Sequence, residues 1–327
     1  NTALQLADAG DMIWVAEGTY RPTAGADRGA SFVLRNGIQL FGGFAGIETY
    51  LAERENPELH PTVLSGDIGI PADSTDNSYH VIRIQEISDF ALVDGFTIRD
   101  GNALGGTTSF PFTEEGGGIL IYSGIAASST AQITLKNNTI TANTAKCGGA
   151  ISIDDGVLQP IDLNITQCNI SDNAVPFRGG GLYIPFNLTA PLEIKVTDTE
   201  FNANRYQSFG GGAIYDDYAG TNWSVVNTAF INNGSITGGS GGAWNIFHRG
   251  GTKRISILNS IFRDNYCVGN GAGIEYIHNE GEGFLILNIE KSQFLNNRSY
   301  ANAGGGLALS GLSEFNSAVM VTECDFL

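Results

Sequence analysis

From about residue 130 onward the apolar positions fall into one recurring arrangement. Pairs spaced two apart come first: Ile133/Leu135, Leu163/Ile165, Ile194/Val196, Trp223/Val225, Ile255/Ile257, Leu287/Ile289 and Val319/Val321. A single large apolar residue follows each pair, in turn Ile140, Ile170, Phe201, Phe230, Phe262, Phe294 and Phe326. Asn stands three places beyond the first six of these, as Asn143, Asn173, Asn204, Asn233, Asn265 and Asn297. A third apolar run then follows, such as Ile151-Ser152-Ile153, Leu182-Tyr183-Ile184 or Leu307-Ala308-Leu309. Period-two alternation over short stretches marks half-buried strands. Each unit therefore predicts three strands, with no helix long enough to cross back over a sheet.

A glycine motif precedes the third run and sets the period. Its third positions are Gly118, Ala150, Gly181, Ala213, Ala243, Gly273 and Gly306, separated by 30 to 33 residues. Strands recurring every ~31 residues without helices predict a solenoid whose coils stack about 4.8 Å apart. The expected fold is all-β, a right-handed parallel β-helix, because parallel crossovers take that hand. A propeller blade needs a longer repeat with four strands, and leucine-rich repeats are shorter. Register stacking predicts an internal column of Phe201, Phe230, Phe262 and Phe294. It also predicts a ladder of Asn204, Asn233, Asn265 and Asn297 that satisfies turn backbones along the axis. The paired glycines predict tight corners with positive φ.

Residues 1–95 carry less regular coils, as a terminal cap does. A short helix is expected within Asn1–Gly10, then strands in Asp11–Tyr20, Ser31–Leu34, Gly37–Phe41, Thr62–Leu64, His80–Ile84 and Phe90–Ile98. Glu48–Pro61 reads as a polar excursion. Residues 96–327 hold the regular repeats, and nothing rich in Ser or Pro divides the chain. One domain over residues 1–327 is expected.

Composition narrows the partners. Gly accounts for 44 of 327 residues, yet without a Gly-X-Y period, so collagen is excluded. No run of ~18 apolar residues exists to cross a membrane as a helix. With 17 basic and 34 acidic residues the formal charge is −17, which speaks against nucleic acid as a partner. Cys147, Cys168, Cys267 and Cys324 match no metal or redox spacing and read as small buried side chains, their disulfide status open. The chain starts at Asn1 and breaks off inside a repeat unit begun at Ala318, so a longer parent chain is expected.

The alternating Gly-Gly-Ala-Ile and Phe-x-x-Asn motifs over residues ~116–327 resemble the repeats of the polymorphic outer membrane proteins, bacterial β-helical surface adhesins. The opening Gly10–Tyr20 and Leu40–Thr49 is similar to the first coils of secreted bacterial pectate-lyase-like β-helix proteins. The resemblance implies the fold, export to an extracellular or cell-surface location, and an adhesive or structural role contacting a glycan or a surface protein.

Candidate chemistry lies in and just beyond the strands after the glycines. Ser152, Tyr183, Tyr215, Asn245 and Glu275 stand at positions expected to point outward. Asp154, Asp155, Asp216, Asp217, His248 and His278 lie near them. Carboxylates with Tyr183, Tyr215 or Tyr218 suit a sugar-binding face. Asp154 with Asp216 or Asp217, two coils apart, offers oxygen ligands for Ca²⁺ and a carboxylate spacing that inverting glycosidases use. Against this, acidic residues at strand ends commonly solvate turns, and Arg249, Lys253 and Arg254 are expected together on a loop, away from any lyase-like base position. His248 and His278 share a position in adjacent-but-one strands but have no third metal ligand. The balance favours a non-catalytic, cofactor-free module, with a polysaccharide lyase or glycoside hydrolase as the alternative.

Overall fold

The computed structural model describes residues 1–105, 114–122, 129–279, 282–300, 304–311 and 317–327. Three long sheets run parallel to one axis, two 10-stranded and one 9-stranded. The first begins with Met12–Ala16 and Gln39–Phe44 and ends with Ser317–Thr322. The second begins with Gly18–Tyr20 and Thr62–Ser65, and the third with Phe32–Leu34 and Ile82–Gln85. The chain visits the three sheets in turn, so each strand pairs with the strand one coil earlier and one coil later, always in parallel. The described helical content is Thr2–Leu6 and two single 3-10 turns within the polar excursion, Leu51–Glu53 and Pro57–Leu59. The expected all-β parallel solenoid is thus the fold.

The sequence pattern maps directly onto this register. In Ile161–Thr166 the residues alternate buried and half-buried, and Leu163 and Ile165 face Ile194 and Val196 of the next coil. Burying such apolar pairs on every coil supplies most of the driving force, roughly 25 cal/mol per Å² of apolar surface. The Phe column exists: Phe201, Phe230, Phe262, Phe294 and Phe326 stack face to face at 4.5–5.1 Å with nearly parallel rings. The Asn ladder is longer than expected, running from Asn143 to Asn297. The Asn233 side-chain oxygen accepts from the Asn204 backbone N–H and side-chain amide, both at 3.0 Å. Its amide donates to the Phe201 carbonyl at 2.9 Å and to Asn265 at 3.1 Å.

A second ladder, of hydroxyls, was not apparent in the repeat motifs. It lies at the corner between the first and second sheets. The Ser260 hydroxyl accepts from Thr228 N–H at 3.2 Å, and the Ser292 hydroxyl from Ser260 N–H at 3.1 Å. Thr199 serves Cys168 in the same way at 3.3 Å. Buried backbone donors at a corner have no strand partner and must be satisfied by side chains. Cys147, Cys168 and Cys267 are buried and all four cysteines are free thiols, as small apolar fillers.

Positive-φ positions recur at the corners, and two of these series show the demand clearly. The first glycine of each motif holds φ between 59° and 79°, and a Cβ on Gly212 would meet Gly234 N and Gly242 O at 2.5 Å. One coil is laid so close on the next here that only hydrogen fits. The corner before the second sheet instead puts non-glycine residues in the left-handed region: Asn137, Gln167, Asp198, Asn227, Asn259, Lys291 and Glu323, with φ of 50–53°. Asn and Asp tolerate that region best; the stacked register imposes it on Gln167, Lys291 and Glu323 as well.

Candidate functional site

Three clusters of polar side chains stand out, and the first contains most of the residues expected at a site. The strands after the glycines form the third sheet, and their outward positions pair in a row: Ser152 with Tyr183, Tyr183 with Tyr215, Tyr215 with Asn245, Asn245 with Glu275. This row is not an open face. All five side chains are at most 5% exposed. The segment just before each glycine motif, bridged from coil to coil through Glu115, Cys147, Arg178, Gly210 and Ser240, folds over them. Cys147 packs on Tyr183 and Tyr215. The Arg178 guanidinium lies 4.5 Å from the Phe209 ring centre and 5.3 Å from that of Tyr215. Alternation assigns these residues to the outer side of the sheet but carries no sign that the outer side is covered.

Under this cover, burial shifts the carboxyl groups. It pushes Glu115 up to about 8, only partly offset by the Ser152 hydroxyl donating to it at 3.0 Å. It pushes Asp154 up to about 7, against a bond from Gly156 N–H at 2.7 Å. Glu275 also rises to about 7, held back by donors from Ser240, Asn270 and Asn245, the last at 2.8 Å. Asp155 is exposed and accepts from Asn187. A carboxyl raised in the folded state binds its proton more tightly there than in the unfolded chain. Its stabilising contribution is complete below about pH 4.5 and is lost as pH rises through about 7. The melting temperature is therefore expected to fall between about pH 5 and pH 8, and Glu275→Gln to flatten part of that slope by about 1–2 kcal/mol. A calorimetric pH series on both proteins measures it; parallel curves would show that Glu275 does not titrate in this window.

The second cluster is inside the solenoid. Asp216 pairs in register with Ile184 and Ile246, a core position, and is fully buried. Lys253 was expected on a loop with Arg249 and Arg254. Instead Lys253 and Arg254 belong to the strand Gly251–Leu258, and Lys253 occupies the inward position that Leu285 fills one coil later. Its Nζ lies 2.5 Å from Asp216 Oδ2 with both side chains wholly shielded from solvent. Asp216 also accepts from Trp223 Nε1 at 2.8 Å, Thr221 Oγ1 at 3.0 Å and Tyr218 N–H at 3.1 Å. Four donors on one carboxylate compensate much of its desolvation.

His248 and His278 sit beside this pair in neighbouring strands, directly opposite each other, and not in strands one apart as expected. Their ring centres are 5.0 Å apart. Tyr276 reaches both, its hydroxyl 2.7 Å from His248 Nδ1 and 3.4 Å from His278 Nδ1. Burial, with Lys253 and His278 nearby, pushes His248 down to about 4. Asp217 turns the other way and pairs with Arg249 at 2.8 Å. Asp154 and Asp216 thus do not converge: two coils separate them and they face opposite sides of the sheet. Among the described residues no group of three or more His, Cys, Asp or Glu is placed to hold a metal ion.

The third cluster is open to solvent and was missed in the sequence. A groove of about 580 Å³ runs along the corner between the first and second sheets. Asn137, Gln167, Asp198 and Asn227 line it from the corner itself, with Asn169 and Glu200 from the second sheet. Asn56, Pro57 and Glu58 of the polar excursion close one end. Arg54 anchors the excursion by pairing with Asp94 at 3.0 Å. The signal was present as the left-handed residue recurring once per coil, but a corner position reads the same whether or not a groove passes it.

A comparison with curated proteins finds no match, and none is found among solved structures. Residues 1–272 match the family described as "Protein of unknown function (DUF1565)". That span takes in the capping coils, the excursion and the repeats through the fifth rung of the Asn ladder at Asn265, and on it the chain belongs to the DUF1565 family.

Proposed function

We propose that this chain is a non-catalytic structural and adhesive segment of a secreted or surface-displayed bacterial protein, and that it holds a glycan strand in the corner groove. The groove carries the reading. Its amides and carboxylates recur once per coil, about 4.8 Å apart, on backbone that the stacked corners hold rigid. Pre-organised polar groups of this kind bind a hydroxyl-rich polymer without an ordering cost. The resemblance to polymorphic outer membrane protein repeats supports the same role and location. The buried state of Tyr183, Tyr215, Asp217 and Glu275 supports structure over contact for the covered row.

Affinity electrophoresis in gels containing neutral or acidic polysaccharides tests this. At least one polymer is expected to retard the protein with no loss of polymer length, and Asp198→Ala with Glu200→Ala to restore free mobility. Unchanged mobility in every polymer would defeat the glycan-binding reading. A second reading, a polysaccharide hydrolase, has one observation behind it: Glu115 and Asp154 are raised to about 8 and 7, where a general acid works. Depolymerisation that disappears in Asp154→Asn would establish that reading instead.

A further inference from the structure

Two charged residues interrupt the aliphatic register of the solenoid core, and they meet. Asp216 stands where the flanking coils have Ile184 and Ile246. Lys253 stands where a neighbouring coil has Leu285. Neither side chain has any exposed surface, and the Trp223 indole donates to the same carboxylate oxygen at 2.8 Å. An ion pair so placed is costly, because desolvating two charges commonly outweighs their attraction, and a well-packed apolar pair would serve the core at least as well. The cost vanishes if both charges are removed by joining the two groups.

From this geometry we propose that Lys253 and Asp216 form an intramolecular amide, a covalent cross-link that the folded chain makes by itself. The balance requires nothing external. Within the dry core one proton passes from the Lys253 ammonium to Asp216 Oδ2, leaving a neutral amine and a carboxylic acid. The Nζ lone pair attacks Cγ and forms the C–N bond. The charge that develops on Oδ1 meets two donors already aimed at that oxygen, the Tyr218 N–H and the Thr221 hydroxyl. A second proton moves from Nζ to Oδ2, the Cγ–Oδ2 bond breaks, and Oδ2 leaves as water. One ammonium and one carboxylate have become one secondary amide and one water molecule.

Position supplies the drive. Nζ lies 2.5 Å from the carboxylate oxygen in the folded chain, and fixed neighbours of this kind react with effective concentrations of order 10⁵–10⁸ M. Burial lowers the Lys253 ammonium's hold on its proton, with Asp216 opposing. The link would tie the third-sheet strand Ile214–Asp216 to the first-sheet strand Gly251–Leu258 one coil on. A strand of each of two successive coils could then no longer separate.

Mass spectrometry of the intact, denatured protein decides the matter. The expected mass is that of the chain less one water, with a tandem-mass peptide map placing the branch between Asp216 and Lys253. Chain kept in strong denaturant from synthesis onward is expected to keep its full mass, and Lys253→Met to keep it after folding conditions. Folded wild-type protein at the full mass overturns the proposal. So does a water loss that maps elsewhere, or one already present in chain that has never folded. None of these outcomes bears on glycan binding.

Discussion

Phe230→Ala is expected to destabilise the protein by about 3–5 kcal/mol, the range for truncating a fully buried aromatic. Phe230 has no exposed surface and is sandwiched between Phe201 at 5.1 Å and Phe262 at 4.5 Å, with Trp244 at 6.3 Å. Its removal leaves a void that the neighbours cannot fill, because each is pinned by the next coil. Stacked pairs add roughly 0.5–1.5 kcal/mol each beyond area alone, and two are lost here. Phe230→Leu keeps most of the volume and is expected to cost less than half as much. Denaturant titration followed by the fluorescence of nearby Trp223 and Trp244 reads both. A loss below about 1 kcal/mol would mean that the column can collapse on itself, and that coil register is not held by these rings.

Asn233→Ala comes next, at about 2–3 kcal/mol. The truncation removes four hydrogen bonds at once, those to the Asn204 N–H, the Asn204 amide, the Phe201 carbonyl and the Asn265 oxygen. The Asn204 amide keeps the Ile170 carbonyl and the Asn265 oxygen keeps the Asn233 N–H, so the Asn204 N–H and the Phe201 carbonyl bear most of the loss. None can turn to water, since Asn204, Phe201 and Asn265 are fully buried. Asn233→Asp separates the donor from the acceptor role. It keeps the accepting oxygen but loses both donated bonds, and it adds an unpaired buried charge, so it is expected to be at least as damaging at neutral pH and milder when acid protonates the carboxyl. If alanine at 233 shifts stability by less than about 0.5 kcal/mol in equilibrium unfolding, the ladder is ornament and the corner backbone is satisfied by other means.

Much of the fold was legible because a solenoid repeats its physics. The period of the glycine motif announced the coil, and period-two alternation marked Ile161–Thr166 and its equivalents as strands with one face in the core. The Phe-x-x-Asn spacing placed an aromatic and an amide one corner apart on every coil, so stacking like on like predicted both columns. The hydroxyl ladder was hidden because its rungs change identity from Cys168 to Thr199, Thr228, Ser260 and Ser292. The role is common to them, not the letter. The site was far less legible. Alternation separates inside from outside for Tyr215 or Glu275, but the segment that covers them lies in the preceding turn and has no pattern of its own. The inward place of Lys253 was hidden, because the long strand Gly251–Leu258 begins further upstream than the repeat implies.

The three sheets share one direction of hydrogen bonding, along the axis. Between one pair of coils the six residues Leu192–Thr197, the three Glu200–Asn202 and the three Ile214–Asp216 are all tied to the coil beneath. Separating the two coils rigidly along the axis therefore loads every bond of that junction at once. Force applied across the axis meets no such sharing, since each strand end is reached separately. Parting two neighbouring coils along the axis thus means breaking the bonds of three sheets together.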